Sequence, residues 1–289
     1  SLPPPSPPPP SLPPPSASPS PPPLSPGQLA PPVSPPLLPP SPLPPSAPPS
    51  PPPPSVSPMP PPPSASPSPP PPAPPPPAPP PPTPPSYSFA DKDSLQTAVD
   101  AWCTNKESAE AIYGPISSWD VRAVTDMSGL FGSKTFCNPD INNWDMSGVT
   151  NTDGMFYGAT SFNQDISSWN MASVTDTRYM FGGAISFNQD ISSWNMASVT
   201  DTRFMFAWAK SFNQSLNNWN MSGVTTTEAM FSDATSFSQD ISSWNMASVE
   251  NTGAMFSDAT SFNQDISSWN MASVTDTRFM FAWAKSFNQ

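Results

Sequence analysis

Tryptophan returns every 25 residues along the last two-thirds of the chain, at Trp119, Trp144, Trp169, Trp194, Trp219, Trp244 and Trp269. Phenylalanine keeps the same step from Phe131 to Phe281 and again from Phe162 to Phe287, and residues 186–214 recur unchanged as 261–289. A fixed period of this length predicts stacked coils, because one coil cannot bury its apolar face alone. Within a unit, Ile166, Trp169, Met171 and Val174 are apolar at steps of 3, 2 and 3, and the middle residues predict a short strand. Met180, Phe181 and Ala184 fit one side of a helical turn, for which Thr175 or Asp176 supplies an N-cap. Coils stacked about 4.8 Å apart would line up the Trp, Met and Phe positions as internal ladders.

Residues 93–113 break the period. Leu95, Ala98, Val99 and Trp102 fall on one helical face after Asp93 as N-cap, and a second short helix from Glu107 to Tyr113 stops at Gly114-Pro115. This pair predicts a cap on the first coil. Residues 1–86 follow another rule: they hold 50 of the 52 prolines and no charge. Such a run excludes helix and sheet and leaves polyproline II, with a reach on the order of 260 Å if straight. The expected organisation is a polyproline II stalk over 1–86, a helical cap over 87–114, and a repeat solenoid over 115–289. The solenoid has seven 25-residue repeats, the last incomplete, each a strand plus a helical turn.

All 30 charged residues follow the proline run, and the net charge is −12. Nine scattered cations do not make a phosphate-binding surface, which argues against nucleic acid and anionic membranes. No apolar run approaches the ~20 residues of a membrane span. Ser1 opens the sequence without a signal-peptide pattern, which reads as a mature or partial chain. Histidine is absent, and with it the commonest general base and metal ligand. Of the acids, Glu228 and Glu250 are the only glutamates after the cap and nothing marks them as a catalytic pair. The expectation is a protein that is not an enzyme and carries no cofactor.

The unit Phe-Asn-Gln-Asp-Ile-Ser-Ser-Trp-Asn-Met, followed by Val-Thr and Met-Phe, resembles the BspA-type leucine-rich-repeat surface proteins over about residues 113–289. That resemblance implies a leucine-rich-repeat-like solenoid on a surface or secreted protein used in adhesion, matrix or recognition, and brings no catalytic residues. The proline run resembles extensins and related hydroxyproline-rich glycoproteins of plant and green-algal walls. The blocks that carry this are Ser6 before Pro7, Pro8, Pro9 and Pro10; Ser50 before Pro51, Pro52, Pro53 and Pro54; and Ser68 before Pro69, Pro70, Pro71 and Pro72. It implies hydroxylated prolines with short arabinose chains, sugar on the serines, and an extracellular place in a cell wall or on a cell surface.

Two cysteines remain. Cys137 stands where later units have Phe162, and Cys103 ends the first cap helix. A disulfide would tie cap to first coil, worth about 3–4 kcal/mol; two free thiols are the alternative. Asp165, Asp190, Asp240 and Asp265 recur in the Asn-Gln-Asp turn. Stacked, they could recruit calcium; the plainer reading is solvated carboxylates beside amide ladders of Asn163, Asn188, Asn213 and Asn263, interrupted by Ser215 and Ser238. The Thr-x-Thr pattern, as at Thr175 and Thr177, reads as a helix start in preference to an ice-matching array. Asn213 and Asn220 begin N-glycosylation sequons, and buried neighbours Trp219 and Met221 would make Asn220 the less accessible.

Two functions fit. One is a structural wall, matrix or filament component that self-associates, because a chain stopping at Gln289 in mid-repeat leaves a last coil for another copy to cover, unless the natural chain continues. The other is recognition of a glycan or protein through the solenoid face. Recurrence of Ser167-Ser168 as Ser192-Ser193, Ser242-Ser243 and Ser267-Ser268 favours the first, since a recognition surface diversifies.

Overall fold

A computed structural model describes residues 87–289. The polyproline II expectation and the candidate modification sites at Ser6, Ser50, Ser68 and their prolines lie outside the described residues. Helix α1 spans Lys92–Thr104 and buries Leu95, Ala98, Val99 and Trp102. Its N-cap is Asp91, whose Oδ1 accepts from the Ser94 N–H at 2.9 Å; Asp93, the expected cap, lies in the first turn, where its charge faces the helix dipole favourably. Helix α2 spans Lys106–Tyr113. Asn105 ends α1 and caps α2, and Gly114 closes α2 at φ 73, a left-handed conformation that glycine takes without steric cost. Polar contacts fasten α1 to the first coil: Lys92 pairs with Asp126 at 3.2 Å, Lys134 with Asp100 at 2.7 Å, and Gln96 donates to the Leu130 carbonyl at 3.0 Å.

Beyond Ile116–Ser118, a single 3₁₀ turn, the described residues hold neither a helix nor a strand longer than one bridge. The expected helical turn after Val174 is instead a run of tight turns. Its amide groups alternate in direction. Thr177, Tyr179, Phe181 and Gly183 donate to the carbonyls of Asp201, Arg203, Met205 and Ala207 in the next coil, at 2.7–3.1 Å. Met180, Gly182 and Ala184 donate three residues back within their own coil, at 2.9–3.2 Å. A helix would turn every N–H onto its own segment; here half of them join neighbouring coils. The alternation requires left-handed residues, at Tyr179 (φ 52) and Gly183 (φ 70). For a side chain as large as tyrosine this costs roughly 1–2 kcal/mol, which the coil-to-coil bonds and the core offset.

The expected strand around Trp169 and Met171 is also displaced. Trp169 N donates to Ile166 O and Val174 N to Met171 O, so turns occupy these groups. The parallel bridge falls at Asp176, in the series Asp126, Asn151, Asp176, Asp201, Thr226, Asn251 and Asp276.

Ring ladders fill the interior. Phe156, Phe181 and Phe206 stack at 5.5 and 5.6 Å between centroids, and Trp169, Trp194 and Trp219 at 6.3 and 6.4 Å. Within one coil Phe181 lies 3.9 Å from Phe187. The polar end of each indole is met by the coil before: Trp169 Nε1 donates to Ile141 O at 3.0 Å and Trp194 Nε1 to Ile166 O at 3.1 Å. No buried side-chain nitrogen or oxygen among the described residues lacks a partner, as a dry core requires. The identical segments 186–214 and 261–289 show what a following coil contributes. Trp208 is 39% exposed and its counterpart Trp283 67%.

Candidate functional site

The Asn-Gln-Asp and Ser-Ser positions make one side of each coil. Asp165 Oδ1 accepts from the Ser167 N–H at 2.9 Å, and Asp190, Asp240 and Asp265 repeat this with Ser192, Ser242 and Ser267. These backbone donors hold the four carboxyls below the usual carboxylate range. All four are exposed, and among the described residues no group of three or more acids, histidines or cysteines could hold a metal ion. The serines beside them are not idle. Ser168 Oγ donates to Asn142 O, Ser193 Oγ to Ser167 O and Ser268 Oγ to Ser242 O, at 2.7–2.9 Å.

Amides continue the lacing. Asn188 N donates to Asn163 Oδ1 and Asn213 N to Asn188 Oδ1, both at 2.9 Å. Ser238 does not interrupt this ladder: its N–H takes Asn213 Oδ1 at 3.0 Å and its hydroxyl accepts from Asn263 N at 3.4 Å. The sequons separate accordingly. Asn213 is half-buried with its carbonyl oxygen accepting from Ser238 and Gln239, whereas Asn220 is exposed and bonds only the Ser222 N–H. Alternation along the chain turns Asn220 outward while Trp219 and Met221 turn in.

The Thr-x-Thr pattern is a two-way staple, not a helix start. Thr175 donates through N and Oγ1 to Thr150 O in the coil before, at 2.9 and 3.2 Å. Thr177, fully buried, donates through N and Oγ1 to Asp201 O in the coil after, at 3.1 and 3.0 Å. Cys103 and Cys137 form a disulfide, with Cα atoms 5.3 Å apart, between α1 and the first coil.

A second side of the coil differs from unit to unit. Successive coils place Ser128, Asp153, Arg178, Arg203, Glu228, Gly253 and Arg278 at one position and Gly129, Gly154, Tyr179, Phe204, Ala229, Ala254 and Phe279 at the next. Arg178 reaches Asp176 at 2.8 Å and Asp153 at 3.2 Å, across two coils. Burial pushes the Asp153 carboxyl above the usual range against the pull of Arg178. Further along, Arg278, with its own backbone N–H, holds half-buried Asp276 at about 2. Sequence reasoning missed this side. Aligning positions 25 apart would have found it, because the aromatic and charged residues cluster there.

The model of one family matches residues 101–219 and 191–289; its description is Mycoplasma protein of unknown function, DUF285. No curated protein and no solved structure matches the chain. With stacked 25-residue units and that match spanning residues 101–289, the chain belongs to the DUF285 family.

Proposed function

We propose that the chain is an extracellular structural glycoprotein of a cell wall, matrix or surface filament. Residues 1–86 serve as an extensin-like rod, with hydroxylated and glycosylated prolines and serines. Residues 115–289 serve as a leucine-rich-repeat-like solenoid that self-associates, without enzymatic activity. One observation carries this reading: exposed serines and half-buried asparagines and glutamines bond the neighbouring coil in the same way in several units. Polar side chains used in this manner make a long, stiff, regular surface in place of a cleft. No helix of the described residues is long and apolar enough to cross a membrane.

Two measurements on the native material test it. Mass spectrometry of residues 1–86 should find hydroxyproline carrying pentose, and electron microscopy should find assemblies. Unmodified prolines would overturn the glycoprotein rod, and dispersed monomers under all near-native conditions would overturn the filament.

A second reading, recognition through the solenoid, is favoured by the unit-to-unit differences around Asp153, Arg178, Tyr179, Phe204 and Trp208. Surface aromatics and arginines are the usual anchors of binding sites.

A further inference from the structure

Along the varying side of the coils, rings stack and then stop. The Tyr179 ring lies on that of Phe204, with centroids 4.6 Å apart and planes within 3°. The next rung towards the cap is Gly154, followed by Gly129. A hollow of about 420 Å³ opens there, lined by Gly129, Gly132, Asp153, Gly154, Tyr157 and Tyr179. A Cβ on Gly129 would meet nothing within 4 Å. Tyr157 stands at 88° to Tyr179, 5.8 Å between centroids, as a side wall. At the rim Asp153 Oδ2 lies 3.2 Å from Arg178 Nη2.

We propose that this hollow binds a neutral pyranose ring of a glycan, seated as the missing rung against Tyr179 with its hydroxyl edge toward Asp153 and Arg178. The inference rests on the recognition reading above. A pyranose has an apolar face of C–H groups, whose positive edges suit the negative face of an aromatic ring. Its rim carries hydroxyls that both donate and accept, and a carboxylate beside a guanidinium offers one acceptor and one set of donors to such a pair. Other ligand classes match less of the site. A flat aromatic would cover Tyr179 and leave the polar rim unmet. An anion would face Asp153, Asp176 and Asp201 against Arg178 and Arg203. A cation would displace Arg178 from Asp153.

Two substitutions that use residues found at the same position in other coils isolate the site. Gly154→Tyr supplies the missing rung and fills the hollow, on a backbone (φ 59) close to the one Tyr179 itself adopts (φ 52). Tyr179→Ala removes the platform and reproduces Ala229 (φ 50). The full chain is titrated calorimetrically with cellotriose, xylotriose, mannotriose and galactotriose, and in parallel with tetramethylammonium and decaproline. The expected result is binding of at least one trisaccharide, weakened about tenfold or more by each variant, with circular dichroism unchanged and neither other probe bound. The proposal is overturned if no trisaccharide binds, or if tetramethylammonium or decaproline takes the site. It is equally overturned if trisaccharide binding survives both variants, which would leave recognition elsewhere on the solenoid standing.

Discussion

Ser168 and Tyr179 belong to the same coil and both reach its surface, yet they obey opposite rules. At Ser168 the side chain joins the coils, its hydroxyl donating to Asn142 O. Serine recurs there at Ser193, Ser243 and Ser268. At Tyr179 the backbone joins the coils, its N–H donating to Arg203 O. The side chain is then free, and glycine, phenylalanine and alanine fill the same position in other units. Exposure alone therefore does not make a position variable. What matters is whether the side chain or the main chain carries the bond to the adjacent coil.

The sharpest way to test this contrast is inside the coil. Phe181 is fully buried between Phe156 and Phe206, and Phe181→Ala should cost about 3–5 kcal/mol in urea unfolding. A loss below about 1 kcal/mol would show that the ring ladder is not the core. The cap offers a second test. Cys103 and Cys137 are 34 residues apart, and reducing their disulfide should lower stability by about 3–4 kcal/mol. The loss should concentrate in α1 and the first coil, read as faster hydrogen exchange there than near Trp219. Uniform acceleration along the whole chain would contradict a local fastening.

Acid should act more gently, through the regular side. Folding lowers the carboxyl values of Asp165, Asp190, Asp240 and Asp265. Their contribution is present above the unfolded value of about 3.9 and fades as pH falls through the lower folded values. Asp153 has the opposite sign, because its folded value is raised. The melting temperature should therefore decline below about pH 4, with Asp153→Asn deepening that decline slightly by removing the opposing group. A melting temperature constant to pH 2 would show that the Asx turns contribute nothing.

Much of the molecule was legible because bulky residues must recur wherever coils share a core. The spacing of Trp169 to Trp194 and of Phe181 to Phe206 reappears as ring stacking. The path between them was not legible. An aspartate that caps a helix and one that closes an Asx turn use the same bond, a carboxylate accepting a nearby N–H. Thus Asp176, which bonds the Arg178 N–H at 3.0 Å, read as a helix start. Left-handed backbone is usually announced by glycine or asparagine, and Tyr179, Phe204 and Ala229 announce nothing. The hollow beside Tyr179 depends on Gly154 lying over it one coil away, a relation visible only once the units are set in register.

The most direct test of the central contrast is a urea midpoint for the triple variant Tyr179→Ala, Phe204→Ala and Trp208→Asp, which gives one coil the surface of Ala229 and Asp233 and the coil before it the alanine of Ala229. If the backbone carries the coil-to-coil bonds on this side, the variant folds and loses at most about 2 kcal/mol, the worth of the exposed ring contacts. A loss on the scale of Phe181→Ala, or failure to fold, would mean that these side chains hold the coils together, and the contrast would be wrong.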